Sequence, residues 1–226
     1  MSIENYISEI WSQPVKRQVR SYDLAEEISI IEKIGKAKGG EFVIDKDNRF
    51  LYENMVRWAN GDSFKCINPE RKEIIDGDIT KGLFVAGNTG SGKTWAMEVL
   101  SLYCGFRQLV FKSHNSIKML VFQNIRTDKV CEIYSETGLY SEFVEKETIC
   151  FQDLTDEPAE SLFMGNREQV MRRILSSRGD KTGLITHFTS NVPLMGVEKI
   201  YGDRVVSRMR KMCNYYELKS KDRRTQ

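Results

Sequence analysis

The chain has 226 residues, of which 40% are hydrophobic and 29% are charged, and this composition supports a sizeable globular core. Its 34 basic and 32 acidic residues leave a net charge of only +2, so overall charge gives no reason to expect a polyanionic partner. The sequence has no apolar run of membrane-spanning length, and its first residues show no signal-peptide pattern. We therefore expect no membrane partner.

The five cysteines are scattered, odd in number and without C-x-x-C spacing. Such a set is typical of reduced thiols in a core, and not of disulfides or metal ligands. The cysteine pattern therefore predicts a cytoplasmic protein. The five are Cys66, Cys104, Cys131, Cys150 and Cys213.

Residues 1 to about 38 are predicted to be helical. Leu24, Ile28 and Ile31 recur at i, i+4 and i+7, and charged residues fill the other face. The pattern stops at Gly39-Gly40, which is a natural helix end and a candidate hinge. This helical segment can pack on the rest of the chain or dock a partner, and the sequence leaves both alternatives open.

Beyond the two glycines, predicted strands alternate with predicted helices. We therefore expect an α/β fold with a mainly parallel five-stranded sheet and helices on both faces. We assign residues 1–40 to a helical N-terminal segment and residues 41–226 to the α/β domain, in which the polar stretch 62–80 is predicted to be irregular. The predicted strands are 82–86, 119–122, 148–151, 183–188 and 214–218, and the predicted helices are 48–59, 95–104, 127–138, 167–177 and 201–212.

Residues 87–94, GNTGSGKT, fit the phosphate-binding pattern G-x-x-x-x-G-K-[ST] at every fixed position, between an apolar run and a helix-compatible stretch. The glycines let successive backbone N–H groups turn toward one point at a helix N-terminus. We expect Lys93 to reach the β- and γ-phosphates and the Thr94 hydroxyl to bind Mg²⁺. The sequence therefore predicts a nucleoside triphosphate site. Its predicted members are Gly87, Asn88, Thr89, Gly90, Ser91, Gly92, Lys93, Thr94 and Trp95.

Polar side chains follow two other predicted strands. Asp153 is the first acid after one strand, with Asp156 and Glu157 close behind, and Asn191 follows the next strand. Because ligands of parallel sheets bind at the carboxyl ends of the strands, we expect these residues to meet the loop. The acids can hold a metal and polarise a water, and Asn191 can orient that water or contact the γ-phosphate.

Three further features have two interpretations each. Arg204 and Arg208 lie at i and i+4 on one helix, where they form a charged surface or reach a neighbouring subunit's phosphate. His187, inside an apolar strand, is predicted to be a satisfied core residue and not a base. The basic stretch 107–118, with the aromatic residues Phe106 and Phe111, is either a solvated helix face or a site for single-stranded nucleic acid.

Four motifs, in this order, resemble those of the DnaC/IstB-type AAA+ ATPases, the helicase loaders and transposition helpers of bacteria and their phages. The resemblance covers about residues 80–220 and does not specify the N-terminal segment. It implies an AAA+ core in which Asn191 is the sensing residue and Arg204 is the arginine finger. The motifs are GNTGSGKT (Walker A), ICFQDLTDEP (a strand followed by acids), LITHFTSN (sensor 1) and YGDRVVSRMR (the arginine-bearing segment).

The sequence departs from the family pattern in two places. In the family register Gln152 takes the place of the metal-side acid and Asp153 that of the catalytic acid. Alternatively, Asp153 serves the metal and Asp156 or Glu157 serves the water. Few residues follow the last strand, so we expect no full C-terminal lid, and Arg223 or Arg224 would be the remnant of its arginine.

The resemblance implies a slow, assembly-dependent ATPase that uses ATP and Mg²⁺ and loads a replicative helicase in DNA replication. Its implied partners are a DnaB-like hexameric helicase, single-stranded DNA and further copies of the chain. A transposition helper of the IstB type shares the same motifs. A nucleotide-gated adaptor with little hydrolysis is a further alternative, which Gln152 favours, whereas a small-molecule kinase would not need Asn191 or Arg204.

Overall fold

The structure, a computed structural model, describes residues 15–39, 41–114, 116–220 and 223. The helices are α1 (Leu24–Lys38), α2 (Arg49–Ala59), α3 (Lys93–Phe106), α4 (Thr127–Thr137), α5 (Ser141–Glu145), α6 (Val170–Gly179), α7 (Leu194–Tyr201) and α8 (Asp203–Met212). The strands are β1 (Val15–Arg17), β2 (Lys65–Ile67), β3 (Ile74–Asp76), β4 (Gly82–Gly87), β5 (Val110–Ser113), β6 (Ser116–Met119), β7 (Gln123–Arg126), β8 (Thr148–Leu154), β9 (Ser161–Phe163), β10 (Asn166–Glu168), β11 (Ile185–Ser190) and β12 (Cys213–Leu218).

The central element is a parallel sheet in the order β12-β4-β11-β8-β7. Successive side chains of a strand point to opposite faces, so β4 supplies both cores. Leu83 and Val85 pack with α1, α2 and α3 on one face, whereas Phe84 and Ala86 pack with α4 to α8 on the other. The predicted α/β fold with a five-stranded parallel sheet covered on both faces is confirmed.

The predicted strand at 119–122 is wrong. Leu120 and Phe122 are buried, but they lie in the connection between β6 and the sheet strand β7. Leu120 donates its N–H to the Leu109 carbonyl, and the backbone of Phe122 exchanges two hydrogen bonds with the Ser101 hydroxyl. These bonds satisfy the backbone of an apolar run without a ladder, so apolarity alone misidentified the strand.

Other boundaries differ because of local backbone chemistry. The stretch predicted to be irregular contains the β2–β3 hairpin. The predicted helix 201–212 is divided at Gly202, whose φ of 84° ends α7 and starts α8. Residues 166–168 pair in β10, so α6 begins only at Val170.

The N-terminal helix begins at Leu24, later than predicted, and Asp23 caps it by accepting the Glu26 N–H at 2.8 Å. Val15–Arg17 instead form β1, which pairs with β5. The part of the helical prediction that covers residues 1–14 lies outside the described residues. Ile28 and Ile31 are buried against the domain, so α1 is packed on the core of the fold.

Glu27 fixes the start of α1 to the end of α3. Its buried carboxylate accepts two hydrogen bonds from Arg107, both 2.9 Å, and one from the Tyr103 hydroxyl at 2.8 Å. Its neighbour Glu26 reaches the same Arg107 only at 3.6 Å from an exposed position. The buried carboxylate therefore holds the helix pair, because both of its partners would lose their acceptor without it.

We predict that Glu27→Ala lowers the free energy of unfolding by about 2–4 kcal/mol, because it removes the buried acceptor of both Arg107 and the Tyr103 hydroxyl. Urea unfolding followed by circular dichroism measures the change. Glu26→Ala is the matched control: its side chain is 67% exposed, against 2% for Glu27, so its effect should stay within about 0.5 kcal/mol. Equal effects of the two variants would contradict this role.

Candidate nucleotide-binding site

The loop between β4 and α3 has the backbone that an anion nest requires. Gly90 and Gly92 have φ values of 78° and 91°, in the left-handed region that glycine favours. Position 87 requires glycine for a different reason, because a Cβ there would lie 2.2 Å from the Leu218 carbonyl oxygen of β12. The left-handed backbone at Gly90 and Gly92 and the close approach of Leu218 to Gly87 account for the three glycines in GNTGSGKT.

Lys93 is buried at the start of α3. Its Nζ donates to the Asn88 carbonyl and to Asn191 Oδ1, both at 2.9 Å. Asn191 in turn donates from Nδ2 to Asp156 Oδ2 at 2.8 Å. Three positions far apart in the sequence are therefore joined by one chain of hydrogen bonds at the carboxyl edge of the sheet.

A cavity of about 720 Å³ opens at this edge. Residues 89–95 of the loop and helix line one side of it, and Asp153, Asp156 and Asn191 line another. Its volume suits a nucleotide-sized ligand. Of the predicted site residues, Gly87, Asn88, Glu157 and Arg204 do not line it: Gly87 ends β4, and Asn88 contacts Lys93 and Ser220.

Most of the third side of the cavity comes from residues that the sequence analysis did not assign to it, in the segment between α1 and α2 and in α2 itself. Leu218 and Arg223 complete this side, and Arg223 is one of the two arginines that the sequence offered as the remnant of the lid arginine. Arg223 forms a bidentate ion pair with Asp45 at 2.9 and 3.0 Å. No local motif marked this side, because it forms only through packing. The residues of the first segment are Phe42, Val43, Asp45, Asn48 and Tyr52.

The acid segment has an unusual backbone. Asp153 and Thr155 have φ values of 55° and 88°, which are costly for side chains other than glycine. The surrounding structure holds this turn: Asp153 N–H donates to Thr189 Oγ1, and its carbonyl accepts from Thr127 Oγ1, both at 3.0 Å. The Thr155 N–H donates to Glu157 Oε2 at 2.9 Å. The strain coincides with the residue that faces the cavity.

Gln152 and Glu157 point elsewhere. Gln152 is buried, and its Nε2 donates to Asn124 Oδ1 on the neighbouring strand at 3.2 Å. Burial raises the pKa of the Glu157 carboxyl, which supports the turn through the Thr155 N–H. The structure therefore brings Asp153 and Asp156 to the cavity, and neither Gln152 nor Glu157 lines it.

Arg126 is a cation in the cavity that the sequence analysis missed. It ends β7, pairs with Asp128 at 2.8 Å and lies 3.8 Å from the Asp153 carboxylate. The strand that carries it was assigned four residues too early, so its place at the carboxyl edge was not recognised. The corrected strand register places a positive charge beside the cavity acid.

The residues proposed for Mg²⁺, Thr94 and Asp153, both line the cavity. A hydroxyl and a carboxylate are the oxygen donors that Mg²⁺ takes when phosphates and waters complete its shell. Within the part of the chain that is described, no three His, Cys, Asp or Glu side chains cluster as a metal site. This donor set fits a nucleotide-bound Mg²⁺ and not an all-protein metal site.

Arg204 lies outside this cavity. It is exposed on α8 and lines a separate open groove with Asp180, Ser207 and Lys211, and no residue lines both spaces. Arg208, its neighbour at i+4, is bound to Asp180 at 2.8 Å. The structure therefore does not bring Arg204 to the phosphate loop of its own chain.

Two other sequence interpretations have a direct structural outcome. His187 is fully buried, accepts the Leu83 N–H on Nδ1 at 3.2 Å, and burial lowers its pKa to about 3. Its prediction as a core residue is confirmed, but it is only partly satisfied, because its buried Nε2 has no hydrogen-bond partner among the described residues. In the stretch 107–118, Phe111 is buried and Arg107 is held by Glu27, so neither is available to a ligand.

Among the described helices, none is both long and apolar enough to cross a bilayer.

The fold and the loop together define a class: an α/β P-loop fold whose phosphate loop lies at the carboxyl edge of a parallel sheet. No family model matches the sequence, and no curated protein matches it.

Three solved structures are similar to the chain. A DnaC helicase loader is 19% identical, with a TM-score of 0.47 over 80% of this chain and 94% of that one. AMPPCP-bound DnaA from Aquifex aeolicus is 15% identical, with a TM-score of 0.48 over 78% of this chain and 48% of that one. The Aeropyrum pernix ORC1 protein in complex with DNA is 14% identical, with a TM-score of 0.37 over 78% of this chain and 45% of that one. The chain spans about half the length of the last two.

We predict that Lys93→Ala lowers ATP affinity by about tenfold or more, because it removes the buried cation from the loop. Isothermal titration with ATP measures the change. Lys36→Ala, which removes an exposed lysine from the last turn of α1, is the matched control and should bind ATP like the wild type. Identical titration curves for Lys93→Ala and wild type would contradict the site.

Proposed function

We propose that this chain is a P-loop ATPase of the AAA+ type that binds and hydrolyses Mg–ATP in the cavity at the carboxyl edge. One observation carries the proposal: the loop, Lys93, Asn191 and two carboxylates meet in one nucleotide-sized space. Their order along the sequence is that of the motifs that the chain shares with the DnaC/IstB-type proteins.

In this proposal the backbone of the loop and Lys93 bind the phosphates, and Thr94 with Asp153 would hold Mg²⁺. When bound, that ion would neutralise phosphate charge and fix the phosphate geometry. Asn191 is already oriented by its bond to Asp156, so the amide and the carboxylate can position and polarise one water together. Glu157 supports the strained turn that aims Asp153 at the cavity.

This assignment chooses the second of the two sequence registers, because Gln152 is turned toward Asn124 and Asp153 lines the cavity.

A second candidate function has one observation in its favour. With Gln152 in place of an acid, a single carboxylate serves the metal side, which favours a nucleotide-gated adaptor that binds ATP and hydrolyses it slowly.

We predict that Asp156→Asn lowers the ATP turnover number by about 10²-fold or more while ATP affinity stays near that of the wild type, because it removes the base and not the phosphate contacts. Asp153→Asn should also lower turnover and should raise the Mg²⁺ concentration needed for half-maximal turnover, because it removes a proposed metal ligand. Steady-state phosphate release and nucleotide titration measure the two quantities. Gln152→Asp is the matched register control and should raise neither.

Two results would reverse the assignment of Asp153 to the metal and Asp156 to the water. If Glu157→Gln abolishes hydrolysis in a folded protein and Asp156→Asn does not, the water-side acid is Glu157. If Gln152→Asp tightens Mg–ATP binding or raises turnover, the family register is correct and Asp153 is the catalytic acid.

We propose further that Arg204 acts on the nucleotide of a neighbouring copy of the chain. The support is its exposed position in an open groove that shares no lining residue with the nucleotide cavity, in which the Asp180 carboxylate is bound to Arg208. A guanidinium supplied by a neighbour stabilises charge on the transferring phosphoryl group. Turnover would then depend on the assembly of a homo-oligomer.

We predict that Arg204→Ala lowers turnover strongly, within the ~10³–10⁵ range known for such fingers, and leaves ATP binding intact. Phosphate release from mixtures gives the decisive measurement. Arg204→Ala and Lys93→Ala, each inactive alone, should recover partial activity together, because one interface then pairs an intact pocket with an intact arginine. No recovery in a mixture shown to co-assemble would mean that Arg204 acts within its own chain or is structural.

We propose that the biological role is in DNA replication in the cytoplasm, as a helicase loader that engages a DnaB-like hexameric helicase and single-stranded DNA. The resemblance of the motifs supports this role, and a transposition helper of the IstB type shares them. Residues 1–40 are the proposed partner-binding segment, for which α1 offers an exposed face around Ser29 and Lys33. Analytical gel filtration with a purified replicative helicase, and separately with a transposase, distinguishes the two roles.

A further inference from the structure

The outer face of the small antiparallel sheet β1-β5-β6 carries lysines and large apolar side chains. Strand pairing sets Lys16 opposite Lys112 and Lys112 opposite Ile117, so these three residues form one row across the sheet. Val110 and Met119 form the next row on the same face. No carboxylate occupies these outward positions of the three strands.

The apolar part of this face continues past the end of β6. Val121 lies against Gly105, where an added Cβ would come 3.3 Å from Val121 Cγ2, and the adjacent Phe106 is 64% exposed. Ile117 is 74% exposed at the other end. We call this surface the ribbon face, and it comprises Lys16, Phe106, Lys112, Ile117, Met119 and Val121.

The charges on the ribbon face are unbalanced. Like charges directly opposite each other on neighbouring strands are destabilising. Neither Lys16 nor Lys112 forms an ion pair with any described residue, whereas Lys118, on the other side of β6, pairs with Glu147 at 2.6 Å. The two outward lysines therefore favour an anionic ligand that carries at least two charges.

The combination of cations and exposed apolar side chains selects the ligand. Single-stranded nucleic acids bind to sheet faces on which lysines meet phosphates while apolar and aromatic side chains, here Phe106 foremost, contact the bases. A free anion would use the lysines and leave Phe106, Ile117 and Met119 exposed. An acidic protein segment is the competing occupant.

The ribbon face is separate from the nucleotide cavity. Ser113 donates to the Gly183 carbonyl at 2.9 Å, and Lys118 pairs with Glu147. Gly183 and Glu147 directly precede β11 and β8, so the small sheet lies at the amino edge of the central sheet. The cavity is at the carboxyl edge, on the opposite side.

We propose that the ribbon face is a binding surface for single-stranded DNA, with phosphates on Lys16 and Lys112 and bases on Phe106 and its apolar neighbours. The inference rests on the proposed function, because it assigns to a particular surface the DNA partner named there. It refines the basic stretch that the sequence indicated: Phe111 and Arg107 are excluded, and Lys112 and Ile117 remain.

Fluorescence anisotropy with a labelled oligo(dT) of about 20 nucleotides, a length that covers more than one short binding site, tests the proposal on the full chain. Lys16→Gln/Lys112→Gln should weaken binding about tenfold at low salt and reduce the slope of log K against log salt by about 1.4, as expected for two lost phosphate contacts. Phe106→Ala should also weaken binding about tenfold but leave that slope unchanged, because stacking releases no counterions.

The matched control is Arg71→Gln/Lys199→Gln, which removes the same charge from two exposed basic side chains that form no ion pair among the described residues. ATP titration of every variant separates this proposal from the nucleotide site: all variants should bind ATP like the wild type, even if oligo(dT) binding is lost. Three results would overturn the proposal: a wild type that does not bind oligo(dT), equal weakening by the two double variants, or a Phe106→Ala variant that binds normally. The last result would assign the face to a free anion or to an acidic protein partner.

Discussion

The parallel pairing of β4 with β11 on one side and β12 on the other is the constraint on which the site depends. It sets Ala86 beside Ser190 and Gly87 beside Leu218, so the phosphate loop, Asn191 and the end of the chain leave the sheet at one edge. The Leu218 carbonyl approaches Gly87 so closely that no side chain fits there. The first glycine of the loop is therefore required by sheet packing, whereas Gly90 and Gly92 are required by their backbone angles.

At the same edge the structure places Asp153, and not Gln152, among the residues that line the cavity. β8 is irregular in two ways: Asp153 has a left-handed backbone, and the pairing of β8 with β11 shifts between Phe188 and Ser190 of β11. An irregularity of this kind re-aims a side chain. At this irregularity Asp153 lines the cavity, whereas Gln152 donates a hydrogen bond to Asn124. A register counted along the sequence assumes a regular strand, whereas the backbone here is irregular at Asp153.

The sequence alone predicted the features that depend on local chemistry. The phosphate loop, the five-stranded parallel sheet and the burial of His187 follow from short motifs and from apolar runs. What it missed depends on contacts between distant residues. The position of Arg126 was not predicted, because the apolar residues Leu120 and Phe122 resemble a strand although their backbone groups bond outside the central sheet. The side of the cavity around Asp45 and Tyr52 was not predicted either, because it exists only where that segment packs beside the loop. No property of either stretch, taken by itself, carries that information.

The N-terminal helix is packed on the α/β domain, which is one of the two alternatives that the sequence left open. α1 is attached to α3 near both of its ends: Glu27 binds Arg107 at the end of α3, while Lys38 stacks on the Trp95 ring at 3.8 Å and pairs with Glu98 at its start. α3 is the helix whose first residues are Lys93 and Thr94. Because α1 ends against Trp95 and Gly39 lines the nucleotide cavity, a partner that displaces α1 must do so against contacts with the phosphate-loop helix. If docking on residues 1–40 shifts α3 and so changes nucleotide affinity, linkage requires the nucleotide to change the affinity for that partner by the same factor.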